Sequence, residues 1–188
     1  MAITAEAPRG GVVEQIGDAT YTLLLRNQEI ERFEDRHRGI FELWDGFFDR
    51  GQKPTTKEVR DLLAYALVGG GLNDAQADAV IGGSGPDQLM SFYELAQAVL
   101  GVAFMPDVFE EPEVKKKDRA GPKPKRLNVR SIIRNSVVAG YKPHEIRSMI
   151  PKDTFIVFDG WNAAHSAKPV GSDAPSLAEA RDMAMRYH

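Results

Sequence analysis

Thr55-Thr56-Lys57-Glu58-Val59-Arg60-Asp61-Leu62-Leu63-Ala64-Tyr65-Ala66-Leu67-Val68-Gly69-Gly70-Gly71 is the stretch on which the fold turns. Thr55-x-x-Glu58 has the spacing of a capping box, in which the hydroxyl and the carboxylate each satisfy a backbone N–H that a helix start leaves free. Val59, Leu62, Leu63, Ala66 and Leu67 then recur at helical spacing, and the three glycines stop the pattern. A helix with one apolar stripe must bury it, so its neighbours have to supply a core.

Upstream, Val12, Val13 and Ile16, then Gly17-Asp18, then Thr20-Tyr21-Thr22-Leu23-Leu24-Leu25 read as a β-hairpin with a tight turn. A lone hairpin is marginal in water and is expected to lie on helices. From Asn27 the period changes. Ile30, Phe33 and His37 share one helical face, Gly39 interrupts, and Ile40, Leu43, Trp44, Phe47 and Phe48 resume it.

Downstream, Asn73 caps a short helix ending at Gly82-Gly83, and Pro86 opens a longer one to about Phe104. Residues 106–125 hold an acidic patch, Lys115-Lys116-Lys117 and Gly121-Pro122-Lys123-Pro124 with almost nothing to bury, and read as a linker. Asn128 caps a further helix carrying Ile132, Ile133, Val137 and Val138, Pro143 starts a short one, and Pro151 opens another with Phe155, Ile156, Phe158 and Trp161. Ser176-x-x-Glu179 marks a last helix with Leu177, Ala180, Met183 and Met185.

The expected fold class is therefore α+β and mainly helical: an N-terminal β-hairpin packed on a helical bundle, plus a small all-α C-terminal module. The expected units are a flexible N-terminus over 1–9, a first domain over 10–105, a charged linker over 106–126 and the small module over 127–188.

Composition narrows the functional classes. Of 188 residues, 43% are apolar and 27% charged, the balance of a soluble globular chain. With no cysteine, disulfides, thiolate nucleophiles and cysteine-ligated zinc are excluded. No apolar leader opens the chain and the longest apolar run, residues 95–105, is too short to span a bilayer, so a cytoplasmic protein is expected, with no membrane association.

The net charge of −3 conceals an asymmetry: residues 1–114 carry −11, residues 115–152 carry +10, and the remainder carry −2. The basic island and the helix, Gly140 turn and helix of residues 129–150 suit phosphate contacts and a helix-turn-helix. Against that, the would-be recognition helix is short and has few groups for base edges, which disfavours nucleic acid as a partner.

No constellation points to catalysis. The histidines at 37, 144, 165 and 188 lack the spacing of a helical metal motif. The glycine clusters follow no strand and lack the Lys-Ser/Thr ending of a phosphate loop, and Ser84 in Gly-Gly-Ser-Gly-Pro is not a nucleophile elbow. Glu110-Glu111 and the pair Asp45 and Asp49 read as solvated carboxylates. No catalytic, cofactor-binding or metal-binding residue is expected, and no cofactor. Phe155, Ile156, Phe158 and Trp161 are the candidate partner-binding residues, because so small a module cannot hide all its apolar surface.

Gly-Gly-Val-Val, Tyr21-Thr22-Leu23-Leu24-Leu25-Arg26, Ile30-x-x-Phe33-Glu34, Gly39-Ile40-x-x-Leu43 and Glu58-Val59-Arg60-Asp61-Leu62-Leu63-Ala64, ending in Gly69-Gly70-Gly71, together resemble the gene transfer agent tail protein family, grouped with phage tail assembly chaperones. The resemblance covers about residues 10–105. Gly140-Tyr141-Lys142-Pro143-His144-Glu145-Ile146-Arg147-Ser148-Met149 is similar to a second small tail assembly chaperone family.

The resemblance implies a non-enzymatic role in virion assembly. The chain would bind the tape measure protein, keep it soluble and recruit the tail tube protein, with self-association as a further expectation. It also implies a short product and a longer one made by a programmed ribosomal slip. The competing functions are a structural tail component of the virion and a helix-turn-helix DNA-binding regulator. Limited trypsin digestion is expected to cut first within residues 106–125. First cuts N-terminal to Gly85 would refute the two-module organisation.

Overall fold

The computed structural model of the protein describes residues 7–49, 51–105 and 128–165. The linker expected over 106–126 and the helix expected after Ser176 lie outside the described residues, as do residues 1–6 of the expected flexible N-terminus.

The hairpin forms as the pattern dictates. β1 (Gly11–Ile16) pairs antiparallel with β2 (Ala19–Leu24), Gly11 opposite Leu24 and Ile16 opposite Ala19. The two-residue connection uses Gly17 at φ +65°, where a side chain would be strained. Leu23 and, just beyond β2, Leu25 face inward and are fully buried.

Five helices follow: α1 (Asn27–Glu34), α2 (Ile40–Phe48), α3 (Thr56–Gly69), α4 (Asp74–Gly82) and α5 (Leu89–Phe104), the last entered through a 3₁₀ turn at Pro86–Gln88. The capping boxes are in place. Glu58 N–H donates to Thr55 Oγ1 at 3.2 Å while Thr55 N–H donates to the Glu58 carboxylate at 2.7 Å, and Asn73 with Gln76 repeats the arrangement at α4. Over the described residues the chain is mainly helical with one two-stranded antiparallel sheet laid on the helices, as the α+β expectation had it.

α3 is the centre of the packing, lying against α1, α4, α5 and β2. Its Val59, Leu62, Leu63, Ala66 and Leu67 are all buried, together with Ile30 and Phe33 of α1 and Val99 and Leu100 of α5. Its last turn meets β2 backbone to backbone. A Cβ on Gly69 would stand 1.9 Å from the Leu24 carbonyl oxygen, and one on Gly70 1.8 Å from that of Thr22. The glycines read as a helix stop are therefore also the point of closest approach between helix and sheet.

The chain resumes with α6 (Val129–Val138), α7 (Pro143–Ser148) and α8 (Pro151–His165). These are the described part of the segment expected as a second module. They pack against α1 and α5, and Val129, Ile133 and Ile146 join the same buried cluster as the first helices. α6 differs from its expected face. Val129, Ile132, Ile133 and Ser136 are buried, whereas Val137 and Val138 are exposed, Val138 by 75%. The true stripe runs i, i+3, i+4, i+7 from Val129, which turns Ser136 inward. Its hydroxyl is satisfied by donating to the Ile132 carbonyl at 2.9 Å.

The glycines allow a direct test. Gly→Ala within a helix normally gains up to about 1 kcal/mol through propensity. Gly101→Ala, in the interior of α5 with open space around its Cβ, should show that gain. Gly69→Ala should instead lose about 1–3 kcal/mol in chemical denaturation, because the clash is with backbone that cannot rotate away. Equal effects of the two substitutions would show that the approach of α3 to β2 is not a constraint.

Candidate partner-binding surface

α2 reads Ile40-Phe41-Glu42-Leu43-Trp44-Asp45-Gly46-Phe47-Phe48, and its apolar residues fall on two faces. Ile40, Leu43 and Phe47 (i, i+3, i+7) are buried. Phe41, Trp44 and Phe48, at the same spacing one residue on, are only half-buried or exposed, Phe48 by 37%. One helix cannot bury both stripes on a single core.

The second stripe continues onto neighbouring helices as a strip of aromatic rings. Trp44 lies 4.2 Å from Phe48 and 5.7 Å from Phe104 at the end of α5, and Phe41 lies 5.7 Å from Phe104. Phe155 of α8 reaches the strip at 6.2 Å from Phe104 and 6.5 Å from Phe41. These are ordinary aromatic contact distances. Val102 and Met105, each 37% exposed, belong to the same end of α5.

The end of the helix that carries the strip is closely packed. The turn after α2 folds back so closely that a Cβ on Gly46 would stand 2.3 Å from the Gln52 carbonyl oxygen, and Gly51 N–H donates to the Asp45 carbonyl at 3.1 Å. The charges on α2 are all negative: Glu42, Asp45 and the C-cap Asp49, with no basic residue in the last turn. Carboxylates at a helix C-terminus oppose its dipole, typically by about 0.3–1 kcal/mol each.

α8 is positioned by a polar seam along α1. Asn27 is fully buried, its N–H donating to the Met149 carbonyl at 2.9 Å and its Nδ2 to the Ile146 carbonyl at 2.8 Å and to Thr154 Oγ1 at 2.7 Å. The Glu34 carboxylate accepts from the N–H groups of Ile40 and Val129, each at 3.0 Å, so one side chain caps the starts of both α2 and α6. Arg147 forks onto Glu31 at 2.8 and 3.2 Å, and Arg130 pairs with Asp35.

The candidate residues read from the sequence thus have different fates. Phe155 packs in the strip and is half-buried, Ile156 is 61% exposed, and Phe158 and Trp161 are half-buried further along α8. At about 100° per residue these four positions spread around the helix and do not share one face. Sequence reasoning assigned Trp44 and Phe48 to the core stripe and so missed the strip. The available signal was that α2 is apolar on more than one side.

The helix-turn-helix proportions are present in α6 and α7, but α7 has six residues. Two cations of the basic island, Arg130 and Arg147, are engaged by α1 carboxylates. His37 Nε2 lies 2.7 Å from Asp61 and its ring stacks on Phe33, and the Ser84 hydroxyl donates to the Val80 carbonyl. Among the described residues no group of His, Asp and Glu is arranged to hold a metal ion, and no helix is long and apolar enough to cross a membrane. No protein-family model, curated protein or solved structure matches the chain.

The seam makes an acid-dependent prediction. The hydrogen bond from Arg147, against some burial, holds Glu31 below its ordinary value of 4.5. That stabilisation is fully present above about pH 4.5 and is lost as pH falls through the lowered folded value. Burial pushes Glu34 the other way, so acidification relieves a cost there. Thermal unfolding followed from neutral pH to about pH 3 should therefore show a steeper acid loss for the native chain than for Glu31→Gln. Parallel curves would mean that the Glu31–Arg147 pair contributes nothing to docking α7.

Proposed function

We propose that the protein is a tail assembly chaperone that binds the helical tape measure protein and promotes addition of tail tube subunits. The observation carrying this reading is the half-buried to exposed aromatic strip of Phe41, Trp44, Phe48 and Phe104, continued by Phe155. Aromatic side chains fixed at a surface are suited to hold a partner helix, since large rings contribute contact area at little entropic cost. The mainly helical scaffold and the residue pattern that resembles tail assembly chaperones support the same reading. No reaction on a small molecule forms part of it.

The neutralisation of Arg130 and Arg147 within the chain makes the α6–α7 unit a poorer candidate for phosphate contacts than its sequence charge suggests. That the described residues hold a single short hairpin makes a tube subunit a poorer candidate as well.

Co-expression with a tape measure protein tests the proposal. Trp44→Ala and Trp161→Ala should each leave a folded chain and weaken co-purification, by on the order of 2 kcal/mol where the ring is an anchor. A Trp161 that serves mainly in packing would instead show a stability loss of about 3–5 kcal/mol on the same change. Undiminished capture by both folded variants would remove the aromatic surfaces as the contact and, with them, the basis of the proposal.

A further inference from the structure

The rim that α2 gives the aromatic strip carries one sign among the described residues. α2 bears Glu42, Asp45 and Asp49 and no Lys or Arg, and Glu94 is the only charged residue of α5. Asp159 follows Phe155 by one turn of α8 and is exposed. Asp45, Asp49 and Asp159 have no ion-pair partner among the described residues. Of the nearby cations along the chain, Arg38 is drawn away to the Gln52 carbonyl and Glu58, Arg50 lies outside the described residues, and Lys53 is exposed beyond the turn.

Two features of α2 work against the fold taken alone. Carboxylates sit where the helix dipole disfavours them, and Phe48 keeps more than a third of its surface exposed, 37%, beside the buried Phe47. Both the exposed part of Phe48 and the unpaired carboxylates are accommodated if something apolar and positively charged covers the strip. The rings stand at i, i+3 and i+7 along α2, a ridge that fits the groove between side-chain rows of a second helix.

We propose that the strip of Phe41, Trp44, Phe48 and Phe104 is a docking surface for a cationic amphipathic helix, whose apolar face covers the rings and whose Lys or Arg side chains reach Asp45 and Asp49. This deepens the reading of the strip as the partner site and rests on it: it assigns the recognised segment a charge. Phosphate-rich or acidic partners are repelled by the same rim.

Two designed peptides test the assignment on the full chain: an amphipathic helix of Leu and Lys, and its counterpart of Leu and Glu with the same apolar face. Titration calorimetry of each peptide into the native full chain reports binding. The Lys peptide is expected to bind about tenfold tighter than the Glu peptide at low salt, with the gap closing as salt is raised. Asp45→Lys/Asp49→Lys, altering two exposed residues, should reverse the preference, while Phe48→Ala should weaken both peptides. Equal binding of the two peptides would leave the strip a helix site but overturn the assigned charge. Binding of neither would overturn the inference and the helix-docking reading together. A concentration-dependent dimer that excludes both peptides would make a second copy of the chain the occupant and overturn the assignment as well.

Discussion

Everything in the fold is referred to the contact of α3 with β2. A helix with one apolar stripe and a hairpin with one apolar face can share a core at several separations, but the last turn of α3 touches the carbonyl oxygens of Thr22 and Leu24 at a distance that no Cβ tolerates at Gly69 or Gly70. That contact sets how far the sheet stands from the helix. Leu23 and Leu25 join Leu62, Leu63 and Ala66 in one buried cluster, and the chain leaving β2 is delivered at Arg26, the residue before α1.

From that starting point α1 becomes the member that gathers the distant parts of the chain. Its Ile30 and Phe33 enter the core, while Asn27, Glu31, Glu34 and Asp35 meet α6, α7 and α8. Most of these polar contacts are half-buried or exposed and individually modest. Asn27 is the exception: its side chain is fully buried, with Oδ1 unpaired and Nδ2 spent on two partners more than a hundred residues away. Its polar satisfaction depends on α7 and α8 being in place. The C-terminal helices are thereby tied to the first part of the chain by direction-specific bonds as well as by Val129, Ile133 and Ile146.

The surface follows from an excess of apolar residues. α2 has two ring-bearing stripes and only one core to serve, so Phe41 and Trp44 are half-buried at its edge and Phe48 stays exposed, with half-buried Phe104 and Phe155 beside them. The chain after α2 packs closely on it at Gly46 and Gly51. Packing, capping and charge agree throughout α3 and α4 but disagree at the end of α2. Such local disagreement is where functional demands on a sequence tend to be found.

The sequence by itself determined the elements: the Gly17-Asp18 hairpin, the capped starts of α3, α4 and α6, the proline-led starts of α7 and α8, and the mainly helical α+β class, because each rests on residues a few positions apart whose chemistry acts locally. Only the tertiary structure decided which apolar stripe of α2 goes inward, that Ser136 and not Val137 faces the core, and that Arg130 and Arg147 are spent on α1 carboxylates. It also decided that Phe155 joins a strip with Phe41 and Phe104 while Ile156 points away. These outcomes depend on contacts between residues roughly fifty to more than a hundred positions apart. Periodicity shows that a helix has an apolar face, but it does not say which neighbour will cover it.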